Sequence, residues 1–241
     1  MKRRRQVEQI YTIPINEKFD ESRNNPECGC PLCTLYRMLE ENEVDLIMGA
    51  SMMEPDIRIV TNKLGFCATH YEMMLRLKNR LSLALTLESH LDELREDIKG
   101  NFIVKAISPM STATSRIERL EGDCYVCKRV ENNFRNVISN VIYMWESDED
   151  FREKFKAQPY FCLPHYRMLL AEAERRYKKQ KQAEFLKDAE SVVLPYFDSI
   201  REDVKFFCKK FDYRYADEPW GNAKNAPERA IKFLCSDVHK I

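Results

Sequence analysis

A metal-ligand signature occurs twice along this chain, and each occurrence closes a loop of more than thirty residues. The first copy reads Cys30-Pro31-Leu32-Cys33 and then Gly65-Phe66-Cys67-Ala68-Thr69-His70. The second reads Cys124-Tyr125-Val126-Cys127 and then Tyr160-Phe161-Cys162-Leu163-Pro164-His165. In each, a CxxC pair precedes a CxxH pair, with 33 intervening residues in one copy and 34 in the other. Thiolate and imidazole donors in this combination suit a tetrahedral, borderline-soft cation. The expectation is two zinc ions, one held by Cys30, Cys33, Cys67 and His70, the other by Cys124, Cys127, Cys162 and His165. Four protein donors fill the shell, and a closed shell is structural, since catalytic zinc usually keeps a position for water. An iron–sulfur cluster with one histidine ligand and a redox dithiol are the rival readings of the same pairs.

The two copies match beyond their ligands. At a shift of 94 residues Val44 meets Ile138, Ile47 meets Val141 and Met48 meets Ile142. Asp56-Ile57-Arg58 meets Asp150-Phe151-Arg152 at the same shift. One inserted residue later, Phe66-Cys67 meets Phe161-Cys162 and His70-Tyr71 meets His165-Tyr166. Such self-similarity over a whole segment indicates internal duplication. It divides the chain into a first unit over 1–107, a linker over 108–116 around Ser108-Pro109-Met110, and a second unit with a C-terminal extension over 117–241.

Apolar periodicity is helical throughout. Helices are expected over Thr34 to Met48 and over Lys128 to Trp145, and new helices start near Cys67 and Cys162. The first of these runs through Leu75, Leu81, Leu85, Leu91 and Leu94 towards Gly100, its leucines buried against several neighbours. The second runs to about Ala189, with Ser191 capping a further helix that crosses Pro195. Pro55 ends or interrupts the first copy, and Asp148-Glu149-Asp150 opens a helical turn. Pro227 suits the first turn of a last short helix that packs back on the bundle. The fold class is therefore all-α: two duplicated zinc-stapled helical units packed together, plus a C-terminal helical extension. Only six glycines and 32% charged residues in 241 agree with this.

Lys+Arg and Asp+Glu both number 39, which argues against a broadly basic nucleic-acid surface. No apolar run reaches the roughly 20 residues that span a membrane. Lys2-Arg3-Arg4-Arg5 is followed by Gln6-Val7-Glu8-Gln9 and not by an apolar stretch, so no signal peptide is expected. Six of the nine cysteines fall in CxxC and CxxH pairs, which points to a cytoplasmic metal protein rather than a secreted disulfide scaffold.

The remaining candidates have plainer readings. Cys28 aligns with Gly122, so it is a spare thiol. Cys208 and Cys235 are expected as small core residues. His90 and His239 have no cysteine at ligand spacing. The Asp56/Arg58 and Asp150/Arg152 pairs read as helix-entry caps with surface ion pairs, or as donors to metal-bound thiolates or an anion. Met48, Met52, Met53, Met73 and Met74 read as core filling. Arg175-Arg176-Tyr177-Lys178-Lys179, beside Glu172, Glu174 and Glu184, reads as a solvated face. No Ser-His-Asp order, phosphate-cradling loop or HExxH is present, so no catalytic residue is assigned.

Several motifs together resemble a known family. They are Ile13-Pro14-Ile15-Asn16, Cys30-Pro31-Leu32-Cys33, Met52-Met53-Glu54-Pro55-Asp56-Ile57-Arg58, Gly65-Phe66-Cys67-Ala68-Thr69-His70 and Lys78-Asn79-Arg80-Leu81, with Ala226-Pro227-Glu228-Arg229-Ala230-Ile231 in the tail. The chain is similar over nearly its whole length to a bacterial family catalogued as domain of unknown function 6062. That resemblance implies a bacterial, cytoplasmic protein without an assigned activity, and it supplies no catalytic residues. Tyr160 stands where the first copy has Gly65, a departure from the motif that implies a differently shaped approach to the second site.

The functional expectation is a non-enzymatic zinc-binding protein with a binding or scaffolding role and a protein partner. The alternatives are a thiol redox or metal-responsive protein using CxxC, or an enzyme with a pocket between the two halves.

Overall fold

The computed structural model describes residues 11–100, 110–215 and 217–238. Among them are eleven α-helices and no strand. In chain order they are α1 (Thr12–Asn24), α2 (Pro31–Met48), α3 (Pro55–Leu64), α4 (Ala68–Arg76), α5 (Arg80–Lys99), α6 (Ser111–Gly122), α7 (Tyr125–Ser147), α8 (Glu149–Lys156), α9 (Leu163–Arg176), α10 (Lys179–Lys209) and α11 (Ala226–Cys235). None is long and apolar enough to cross a membrane.

Local chemistry explains most of the boundaries. Asp148 accepts a hydrogen bond from the Phe151 N–H and so caps α8. Pro55 and Pro227 occupy the first turns of α3 and α11, where a missing N–H costs nothing. Pro55 therefore opens a helix as well as separating it from the one before. The long helix expected from Cys67 to Gly100 is broken at Leu77-Lys78-Asn79. Lys78 has a positive φ there, and Asn79 caps α5 by accepting from the Ser82 N–H. The helix expected to end near Ala189 instead breaks at Tyr177-Lys178. Its successor α10 continues through Pro195, and Ser191 lies inside it, donating to the Asp188 carbonyl.

The chain forms two compact units, and they are not the sequence halves 1–107 and 117–241. One consists of the described residues up to Arg37 and from Phe134 onward; the other is the described part of Met38–Asn133. The chain passes from one unit to the other inside α2 and inside α7, each a continuous helix. The expected linker is helical from Ser111 onward, and its positions 108 and 109 lie outside the described residues.

In the first unit the core is aromatic. Phe19 of α1 lies against Phe151, Phe155 and Phe161, with ring centroids 5.1, 6.4 and 6.1 Å away. Trp145 meets Phe185 edge-on at 4.9 Å. The Trp145 indole N–H donates to Asp188, which also receives Arg152 at 2.7 Å. The segment leading to Cys162 is fixed by Gln158, whose side-chain amide donates to the carbonyls of Phe19 and Lys154. The last helix packs back as expected, with Phe233 buried beside Tyr160 and Tyr196.

The second unit has a polar interior between α3, α5 and α6. The Asn62 carbonyl accepts from His90 Nδ1 at 2.7 Å and from Arg116 at 3.2 Å, and Arg116 also pairs with Asp97. Meanwhile Leu81 is 70% and Leu91 58% exposed, against the expectation of a buried leucine face. Ser82, Thr86 and His90 share the buried side of α5 with Leu83, while Leu81 and Leu91 face outward. The methionines divide: Met48 and Met74 are buried, whereas Met53 is exposed.

Replacing Phe19 with Ala should cost about 3–5 kcal/mol, the range for a fully buried aromatic. Leu81→Ala should stay within about 0.5 kcal/mol. Urea unfolding of the two variants checks both values.

Candidate metal centre

Each ligand pair occupies the same place on a helix. Cys30 directly precedes α2, and Cys33 is its third residue; Cys124 and Cys127 stand likewise on α7. Cys67 is the N-cap of α4 with His70 at its third position, and Cys162 and His165 repeat this on α9. A residue just before a helix and the third within it face the same way, so both side chains point off one N-terminus. That terminus carries about half a positive charge, which favours thiolates.

The structure joins these pairs across the copies. One cluster is Cys30, Cys33, Cys162 and His165; the other is Cys67, His70, Cys124 and Cys127. In each cluster all four ligand atoms lie within 4.8 Å of one another. All eight expected ligands are thus in clusters, but the expected groupings by copy are replaced by crossed ones. The reason lies in the helices. α2 meets the histidine of its own copy through Glu40, about three turns beyond Cys30, and not through the turn bearing Cys30 and Cys33. α7 does the same with Phe134, whose ring centroid is 5.1 Å from that of His165. The first turn of each helix is left to meet the CxxH pair of the other copy.

The separations test the fit to a single ion. With metal–sulfur bonds of about 2.3 Å and metal–nitrogen bonds of about 2.0 Å, tetrahedral geometry puts sulfurs about 3.75 Å apart and sulfur and nitrogen about 3.5 Å apart. In the first cluster Cys33 Sγ is 3.7 Å from Cys162 Sγ and 3.5 Å from His165 Nδ1, and Cys30 Sγ is 3.7 Å from that nitrogen. In the second, Cys67 Sγ is 3.9 Å from Cys127 Sγ, and His70 Nδ1 is 3.3 and 3.6 Å from Cys124 and Cys127. Within each CxxH pair sulfur and nitrogen are closer than the tetrahedral value, at 3.0 Å for Cys67 and His70 and 3.1 Å for Cys162 and His165. The residues therefore fit one mononuclear ion in each cluster.

The second cluster is positioned by its surroundings. Gly65 has φ +64, and its carbonyl accepts from the Tyr125 N–H at 3.0 Å, which ties the entry of α4 to the start of α7. A Cβ there would lie 2.7 Å from Leu120 and 3.2 Å from the His90 ring, so this approach needs glycine. Phe66 then packs edge-on against Tyr71 and Tyr125. Tyr160, the counterpart of Gly65, is instead stacked on Tyr196 at 4.1 Å, so the approach to the first cluster is indeed shaped differently.

The protons are unevenly shared in each cluster. The hydrogen bond with Cys162 holds the Cys33 thiol far below the usual thiol range, and burial pushes Cys30 well above it. Cys162 is drawn down by Cys30, but Cys33 and burial carry it up to about 12. In the second cluster the bond with Cys127 lowers Cys124 to about 3, and the same bond raises Cys127 far above the usual range. Burial would lower His70, yet hydrogen bonds with Cys124 and Glu40 raise it to about 10. A divalent ion bound in either cluster would take the place of these protons, because thiolate and neutral imidazole would be its ligands.

Sequence reasoning missed the residues around the ligands. Glu40 is buried and accepts from His70 Nε2–H at 3.0 Å. Glu43, one turn on and also buried, receives Arg129 at 3.2 Å. The signal was present: the 94-residue shift aligns Glu40 with Phe134 and Glu43 with Val137, carboxylates opposite apolar residues on a buried stripe. Ser236, whose Oγ lies 3.3 Å from Cys33 Sγ, carried no such signal.

Other candidates fall outside the clusters. Cys28 is half-buried near Glu21, where burial and that carboxylate raise its pKa. Cys208 and Cys235 are exposed and not core residues, since both face away from the buried sides of α10 and α11. His90 is held by Asn62, and His239 lies outside the described residues. Arg152 pairs with Glu184 and Asp188 of α10 and not with Asp150, and Arg58 donates to the Leu85 carbonyl. The cap at α8 is Asp148, not Asp150. Arg175 and Arg176 form ion pairs with Glu172 and Glu146.

These features define a helical protein with two buried Cys3His clusters. The chain belongs to a family described as Family of unknown function (DUF6062), matched over residues 6–241. No curated protein and no solved structure matches it.

Crossed ligand sets have a direct test in metal-loaded protein. In Cys67→Ser, Cys124 and Cys127 should become open to alkylation while Cys30 and Cys33 stay protected. Peptide mass mapping reads the difference; reactive Cys30 and Cys33 would instead indicate grouping by copy.

Proposed function

We propose that both clusters hold structural zinc and that the protein is a non-enzymatic, zinc-stapled scaffold. The observation that carries this is the meeting of four-donor sets from distant parts of the chain, at separations suited to one tetrahedral ion. An iron–sulfur cluster interposes bridging sulfides and further irons, so ligands on different irons stand further apart than ligands on one ion. Three thiolates and one imidazole leave no position for a reacting water. Zinc then acts through folding. It joins Cys33 to Cys162 and His70 to Cys124 in loops whose closure would otherwise cost conformational entropy.

A binding role draws support from large apolar side chains left on the surface. Ile59, Leu75, Leu77 and Leu81 are exposed in one unit, and Phe211 and Tyr213 in the other. Such side chains favour a protein partner over nucleic acid, whose recognition needs basic surface. A reducing cytoplasmic setting suits nine free cysteines.

Purified protein should be colourless and carry two zinc equivalents per chain by elemental analysis. A strong chelator should lower the melting temperature by roughly 10 °C or more, since each kcal/mol lost shifts a chain of this size by a few degrees. Visible absorption with bound iron, or unchanged melting after metal removal, would overturn the structural-zinc reading.

A further inference from the structure

The two clusters share a ligand set but differ in what encloses them. All four ligands of the Cys30 cluster are buried, whereas Cys67 of the other is only partly so. The Cys30 cluster is also covered by the end of the described chain. Ser236, just past α11, is buried and held in the left-handed region at φ 69, where its hydroxyl lies 3.3 Å from Cys33 Sγ. Non-glycine residues adopt that conformation only when their surroundings hold them there. The next residue, Asp237, is tied to Arg37 of α2 at 3.0 Å.

The histidines differ in the same direction. His165 packs against Phe134, and its Nε2 is buried with no hydrogen-bond partner. His70 directs Nε2 at the buried Glu40 carboxylate. Phe134 and Glu40 are equivalent positions of the repeat, as are Val137 and Glu43, so the difference lies in the sequence itself. Emptying the Cys30 cluster leaves a buried imidazole whose Nε2 has no hydrogen-bond partner. Emptying the Cys67 cluster leaves His70 still hydrogen-bonded through Nε2. Exchange at a filled tetrahedral shell also needs an incoming species to reach a ligand from outside, and Cys67 is the one ligand residue of the eight that is not fully buried.

We infer that Cys67, His70, Cys124 and Cys127 form an exchangeable site for a borderline-soft or soft divalent ion, entered at Cys67, while Cys30, Cys33, Cys162 and His165 hold their ion permanently. This rests on the zinc reading of both clusters. In the exchange one divalent ion replaces another, and the three thiolates and the imidazole are retained, so no proton or electron is transferred overall. Glu40 is a positioning residue that orients His70 through the ring nitrogen facing away from the ion.

The test uses the full chain loaded with two zinc ions, the metal count being read first. A count of none, with no zinc taken up on addition, defeats the zinc reading and this inference together. With two ions present, Cd2+ is added at one equivalent and native mass spectrometry follows the replacement, since thiolate-rich sites prefer the softer ion. The expected result is build-up of a singly exchanged species with hardly any doubly exchanged chain. A binomial mixture of unchanged, mixed and doubly exchanged chains overturns the inference while leaving the zinc reading intact. Brief alkylation locates the event: Cys67 should be modified before Cys124 and Cys127, and all three before Cys30, Cys33 and Cys162. Modification in the reverse order overturns it. Glu40→Gln should speed the fast exchange by about tenfold, the lower end of the usual effect of losing an outer-shell partner. The slow exchange should be unchanged; equal acceleration of both would mean that Glu40 acts through general stability instead.

Discussion

Two helix N-termini converge on each ligand cluster, and the rest of the structure is arranged around that meeting. A cluster of three thiolates and one divalent ion carries a net charge of −1, and two helix termini supply about +1 against it. This near-balance makes burial of such a charged group affordable without surface cations. It also fixes where the helices begin. Each must start at its first cysteine, because the second ligand has to lie three residues on, at the same end of the same helix. The segments before α4 and α9 must in turn deliver Cys67 and Cys162. Gly65 does this by its left-handed turn against His90 and Leu120, and Gln158 by its grip on the Phe19 carbonyl.

The repeated ligand motif offers two chemically identical ways to complete the clusters, within a copy or between copies. The structure takes the second. α2 runs past its own copy's His70 at Glu40, and α7 past His165 at Phe134, so each helix serves one cluster with its first turn and the other with a residue in its middle. An ion in the first cluster therefore ties Cys33 of one copy to Cys162 of the other. A copy on its own would hold a complete ligand set by composition and yet neither of the clusters seen here. The compact units follow the clusters and not the repeat, with boundaries inside α2 and α7.

Much of this was legible before the structure. CxxC and CxxH spacings are set by one helical turn, so the eight ligands and the helices starting at them follow from local rules. The all-α class, the opening of α8 and Pro227 in the first turn of α11 were equally local. The partnering of the pairs was not, because loop closure over thirty or over a hundred residues differs little in free energy. The exposure of Leu81 and Leu91 is not legible in the sequence for a related reason. Leucine density marks a helix but does not choose its inward face, and on α5 that face holds Ser82, Leu83, Thr86 and His90, the last of which meets Asn62.

The two copies of the motif agree at some positions and differ at others. The ligands are kept in both, and so is the Asp/Arg spacing near α3 and α8. Yet Arg152 bridges two carboxylates of α10, while Arg58 meets a backbone carbonyl of α5, so the shared spacing has no shared contact. The positions that changed character lie beside the ligands: Glu40 against Phe134, Glu43 against Val137, Gly65 against Tyr160. The apolar enclosure around His165 brings no buried charge, whereas burying Glu40 and Glu43 carries a desolvation cost. That cost is offset by their partners, His70 for Glu40, and Arg129 and Tyr125 for Glu43. Two buried carboxylates beside one cluster, with Phe134 and Val137 at the matching places beside the other, make the two sites chemically different although their ligands are the same.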